Sequence, residues 1–336
     1  MQTDKASLKI DVFLSVFVFF AAWIFYALNT WNGDRDAYEL YYMRDGISAW
    51  RGEIIYGYMN IFFNKLGVGF QAFQAIVASL TLLITWLYFR KVSYYLSISF
   101  ILYLILMLPL DYVLMRTTLA YSIVIYGLYL KFYKHAYLYV LFIIVATLIH
   151  QSAFFFIGDA NKIGVQSFRL IFLLLFSTII ASFMLYKLDF VPLSIQEHIA
   201  YYRTNYKTSV FNVCLHLAST LIMYLNYNYL KNTNRCGRYD DFILSINCVS
   251  MLLLATYIYA DIFVRLFRLI CFINLIYLVQ WVFLNKLRAS LYAFIYFALF
   301  SFYLFYYFVY KTASLSILPM LYCNYIPNYI FGVSCL

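Results

Sequence analysis

Apolar positions dominate this chain in long unbroken stretches, and polar residues gather in short clusters between them. The first stretch, VFLSVFVFFAAWIFYAL at residues 12–28, shows no apolar-polar alternation. A transmembrane β-strand would alternate over ~10 residues. A run of about 20 apolar residues crosses a bilayer as a helix. The pattern predicts spanning segments near 10–28, 70–89, 94–109, 116–132, 137–157, 169–186, 210–229, 242–259, 263–284 and 289–309. A terminal segment near 315–333 is broken by Pro319 and Pro327 and reads as partly embedded or interfacial. The expectation is an all-α, polytopic transmembrane protein of about 10–11 membrane helices. It forms a single integral-membrane domain, residues 1–336, with no repeat and no soluble part.

Composition sharpens this picture. The chain is 65% hydrophobic and 11% charged over 336 residues, whereas soluble domains carry roughly 25% charged residues. A water-soluble fold is excluded. The net charge of +10 does not point to nucleic acid, because the basic residues are spread through short loops and no nucleic-acid motif is present. The six cysteines are scattered without a CxxC pair, so neither metal ligation nor a disulfide framework is expected. No cofactor is expected either.

Lysine and arginine set the orientation, since cytoplasmic loops are enriched in them. Lys5 and Lys9 put the N-terminus inside, and Arg90–Lys91 and Lys131/Lys134 mark later cytoplasmic turns. Two hydrophilic loops, at about 29–56 and 187–209, then face outward. Simple alternation beyond residue 137 would put several basic turns outside. A re-entrant reading of 137–161, broken at HQS 150–152, removes that conflict. Backbone irregular at that depth requires protein or a water-filled cavity beside it.

Against this apolar background a few polar residues stand out. In YADIFVRLFRLI (259–270), Asp261, Arg265 and Arg268 fall at i, i+4 and i+7, one stripe of a helix. They are read either as a cationic stripe that receives an anion or as a helix start whose arginines snorkel to headgroups. Arginine suits phosphate because its planar fork donates two parallel hydrogen bonds. Arg116 opens an apolar helix, where it opposes the helix dipole unless an acid such as Asp111 pairs with it. His150, beside Gln151 and Ser152 in ATLIHQSAFFF, is a candidate general base or acid. It would otherwise be a polar contact between helices. The first outer loop holds five acids, Asp34, Asp36, Glu39, Asp45 and Glu53. Most are expected to be a solvated face. Asp34 and Tyr38 form an i, i+4 pair in an aromatic setting suited to sugars, and Asp34 is, with His150, a candidate catalytic base for an acceptor hydroxyl. Arg203, with Tyr201 and Tyr202 in the second loop, would bind anions or sugars, or rest on headgroups.

The strings GDRDAY, GEIIYGY, LDYVLMRTTLAYSI, LIHQSAFFF, DIFVRLFRL and LYCNYIPNYIFG occur in this order over most of residues 30–332. Together they resemble the EpsG-like branch of the Wzy-type bacterial polysaccharide (O-antigen) polymerases. The chain departs from that pattern at GD in the first string and at NY in the last. The resemblance implies a fold like the C-type glycosyltransferases, in a multi-pass protein of the bacterial inner membrane with its active site toward the periplasm. It implies a glycosyltransferase that joins undecaprenyl-diphosphate-linked glycan donor and acceptor, with a chain-length regulator as a candidate partner. Asp34, Arg116, His150 and Arg265 are the positions it carries over. Arg203, Asp261, Arg268 and Tyr38 come from the residues alone. The alternatives are a flippase of lipid-linked oligosaccharide and an O-antigen ligase. The sugars, the linkage and the kind of polymer are not legible.

Overall fold

The computed structural model describes residues 5–44, 47–50, 52–133, 136–157, 206–258, 263–279, 281–282, 290–326 and 329. The protein is all-α and polytopic, with no β-strand among the described residues. Four helical stretches there are long and apolar enough to cross a membrane: Ile10–Ala27, Phe70–Val92, Val210–Asn232 and Leu291–Tyr310. The chain divides into two compact units, Met1–Ile157 with Ser301–Leu336, and Gly158–Phe300.

In the first unit, α1 (Lys5–Ala27) and α4 (Phe70–Val92) pack together, and α1 also packs on α5 (Leu96–Leu106). Between α1 and α4 lie α2 (Arg35–Met43) and α3 (Ile54–Lys65). The short α6 (Leu108–Asp111) leads to α7 (Met115–Tyr133), which packs on α4 and on α8 (Ala136–Ile149). The polar break foreseen at HQS is real. Helix α8 stops at Ile149, and a 3₁₀ helix runs from Gln151 to Ile157. Helix α3 was not foreseen. At 12 residues it spans ~18 Å, well short of the ~30 Å hydrocarbon core.

Polar side chains fasten these elements. The Asp11 carboxylate of α1 accepts from the backbone N–H of Leu96 at 2.8 Å and of Ser97 at 3.1 Å. It thereby takes up donors that the first turn of α5 leaves unpaired. Arg35 enters from α2, whose buried residues Arg35, Tyr38 and Tyr42 share one face. Its Nη1 donates to the Asn29 carbonyl at 2.9 Å and to Gln74 Oε1 at 3.0 Å. Gln74 in turn donates to the Tyr26 and Asn29 carbonyls.

The closing LYCNYIP string joins the same node. A single antiparallel bridge pairs Asn29 with Asn324. Asn29 Nδ2 also donates to the carbonyls of Pro319 and Cys323. A helix over Ile317–Tyr322 contains Pro319 in its first turn, where a missing N–H costs little. Cys323 is disulfide-bonded, although the scattered spacing gave no sign of a disulfide framework.

The second unit contains α9 (Tyr206–Asn232), α10 (Arg238–Ser250) with a 3₁₀ extension to Ile258, α11 (Val264–Val279) and most of α12 (Leu291–Leu304). Helix α11 is buried on every side: all its residues except Arg265 are buried. A helix apolar all round belongs in an interior. Its neighbours are held by hydrogen bonds between neutral groups. Asn247 and Asn274 exchange two amide bonds of 2.8 Å. Asn274 also donates to Tyr296 Oη at 2.7 Å, and Tyr296 meets Ser219 at 2.8 Å.

Candidate active site

The site grows from the junction between the first outer loop and α3. Gly52 has φ +94°, a region open to glycine and strained for other residues. A Cβ there would sit 2.9 Å from Gln151 Nε2. The bare backbone thus lets the loop lie against the start of the 3₁₀ helix. Glu53 follows at the N-cap of α3. A carboxylate at that position normally accepts from its own helix. Here it makes no cap bond, because both oxygens are engaged elsewhere.

Glu53 Oε2 accepts from Arg116 Nη1 at 2.5 Å, and Glu53 Oε1 lies 2.5 Å from His150 Nδ1. The carboxylate is interior, with its side chain 7% exposed. The two cationic or ionisable partners are more open, at 35% for Arg116 and 22% for His150. The arrangement is a buried acid presenting a guanidinium and an imidazole outward. It answers why Arg116 tolerates the N-terminal turn of α7 against the dipole. Glu53 is a partner that offsets the cost.

Aromatic rings close the site on one side. Arg116 lies over Trp50 at 5.7 Å and over Tyr38 at 6.0 Å, within cation–π range. Trp50 stacks with Tyr38 and meets Tyr56 edge-on at 4.9 Å. Gly57 makes room for it, since a Cβ there would come within 3.1 Å of the indole. Burial pushes the Tyr38 phenol up to about 12, although Arg116 pulls the other way. Tyr38 is therefore neutral at physiological pH. Tyr121 Oη and Ser152 Oγ are 3.1 Å apart and tie α7 to the 3₁₀ helix.

Four of the residues singled out in the sequence share this region. Arg116 and His150 meet through Glu53. Tyr38 stacks beside them. Asp34 precedes α2, with its backbone N–H bonded to Asn32 Oδ1, and its charge raises the Tyr38 phenol further. Arg265 and Arg268 belong to the second unit. Arg265 lies in the first turn of α11, and Arg268 is buried. Arg203 and Asp261 lie outside the described residues, and so does any pairing of Asp261 with Arg265. The sequence reading missed Glu53, taken there as one acid of a solvated loop. It also missed Trp50. The available signal was GEIIYGY, where an acid follows a glycine just ahead of an aromatic helix.

Chemically, a partly open guanidinium such as that of Arg116 can bind phosphate oxygens. An imidazole held by a carboxylate can take or give a proton. No curated protein and no solved structure matches the chain. Over residues 12–325 it matches the EpsG family, and it belongs to that family of polysaccharide-polymerase-like membrane proteins.

Proposed function

We propose that the protein is a polysaccharide polymerase that joins undecaprenyl-diphosphate-linked oligosaccharide repeat units at the outer face of the bacterial inner membrane. The observation that carries this reading is the Arg116–Glu53–His150 cluster in a chain of the EpsG family. It supplies an anion-binding cation and a proton acceptor side by side. Cys323, which binds Asn29 beside the first loop, supports an outward face for this end. Disulfides persist on the oxidising side of a membrane.

In this account a hydroxyl of the acceptor glycan attacks the anomeric carbon of the donor. A C–O bond forms to the acceptor oxygen while the C–O bond to the diphosphate breaks, and undecaprenyl diphosphate leaves with the electron pair. The hydroxyl proton passes to His150 Nε2. Negative charge grows on the departing diphosphate, and preorganised donors aimed at such charge are usually the largest catalytic term. Arg116 fills that role. Arg265, Arg268 and Arg203 are proposed as further diphosphate ligands on the chemistry of the guanidinium group. Asp34 is proposed to assist the acceptor hydroxyl as a second base, Tyr38 to hold sugar, and Asp261 to hold Arg265 when the site is empty.

The test is reconstitution of the purified protein in bacterial-lipid vesicles with a lipid-linked repeat unit. A ladder of longer glycans on the lipid carrier is the expected result. Movement of the repeat unit across the bilayer without lengthening indicates a flippase instead. Transfer to a lipid core without lengthening indicates a ligase.

A further inference from the structure

The two 2.5 Å contacts to one carboxylate carry more than an ion pair. An ionised carboxylate only accepts hydrogen bonds. Glu53 Oε2 is taken by the Arg116 guanidinium, which only donates. Glu53 Oε1 therefore faces His150 Nδ1 as an acceptor, and Nδ1 must carry a proton. In the neutral imidazole the other nitrogen then bears the lone pair. His150 Nε2 has no hydrogen bond among the described residues, and the side chain is partly open.

We propose that Glu53 is a positioning residue that fixes His150 as the Nδ1–H tautomer, with Nε2 turned to the acceptor hydroxyl, and locks that choice through Arg116. The proposal rests on the polymerase reading for the identity of the hydroxyl. Glu53 touches neither sugar nor diphosphate. Its effect passes through the imidazole, and its own orientation is set by the guanidinium. The arrangement makes Glu53→Gln a specific break. The amide oxygen must face Arg116, because its NH₂ has nothing to donate to there. The NH₂ then points at His150 Nδ1, which can only accept from it. The ring proton moves to Nε2, and the nitrogen needed as proton acceptor is blocked. The substitution is nearly isosteric, so packing around Trp50 and Gly52 is kept.

The test has two arms on the full-length protein in lipid. Ring ¹⁵N shifts of labelled histidine report the tautomer, with the His150 signals assigned by their loss in H150N. The wild type is expected to show Nδ1–H, and E53Q to show Nε2–H. In the reconstituted assay E53Q is expected to lose about 10²–10⁴-fold in kcat, the range of general acid–base catalysis. KM for the lipid-linked repeat unit should stay within about 3-fold, since E53Q leaves the binding contacts in place. An Nε2–H tautomer in the wild type overturns the proposal, and that arm needs no variant to fold. Wild-type kcat in an E53Q protein with an altered tautomer overturns it as well. If the wild type makes no polymer at all while its tautomer is as stated, the polymerase reading fails and the positioning by Glu53 stands.

Discussion

Among the described residues one histidine sits in each unit, and their surroundings differ in kind. His216, in α9, is 0% exposed. Its Nδ1 meets Tyr257 Oη and its Nε2 meets Ser250 Oγ, each at 2.8 Å. Its ring stacks on Phe267 at 4.2 Å. Every polar atom of that ring is used, and every partner is a neutral hydroxyl. His150 has one nitrogen on a charged carboxylate, a guanidinium beyond it, and an open edge. A satisfied polar group between helices acts as glue. A partly satisfied one beside opposed charges is poised for chemistry. On the proposed reading the same residue type does two jobs, and what separates them is whether a ring atom is left over.

The comparison can be broken in order of expected effect. Replacing His150 by Gln should lower chain extension by about 10²–10⁴-fold per folded molecule, with membrane insertion unchanged. Quantified glycan ladders at matched protein check this. Near-normal ladders would put His150 with His216 as glue. Replacing Arg265 by Ala should stop chain extension while the protein stays folded in the membrane. Retained long-chain polymer in that variant counts against the second unit as a source of diphosphate ligands.

Replacing His216 by Phe should have the opposite profile. Tyr257 Oη loses its ring partner, and a buried polar group left unpaired costs about 1–3 kcal/mol. The expected outcome is a lower thermal midpoint in detergent and an unchanged rate per folded molecule. An effect of comparable size follows in the same unit from Asn274→Leu. It removes the reciprocal amide pair with Asn247 and the bond to Tyr296. Interhelical hydrogen bonds in membranes are worth about 0.6–2 kcal/mol each, so the midpoint should fall modestly with activity retained. Lost activity at normal stability would show that this network, too, takes part in chemistry.

The long apolar runs made the four membrane-length helices among the described residues legible, because the hydrocarbon core demands such runs; the expected span at 169–186 lies outside the described residues. The break at His150 was legible too, since HQS interrupts such a run. Helix α3 was not, because its aromatic and polar mixture is shorter than a span and follows a loop rich in charges. Arg116 and His150 stood out as polar residues in apolar settings. Glu53 did not, since its loop holds four other acids of similar surroundings. What distinguishes it is the pair of partners 63 and 97 residues further along the chain. Local pattern cannot report so distant a pairing. The tail was legible as a motif and not as a role, because the bridge from Asn324 to Asn29 joins opposite ends of the chain.

The most direct test of the account is the rate of chain extension by Arg116→Ala, measured in reconstituted vesicles at equal amounts of folded protein. Loss of one donor to a developing anion costs about 10²–10³-fold, so the account predicts that single repeat units persist where the wild type builds a ladder. A ladder of wild-type length and rate would contradict it.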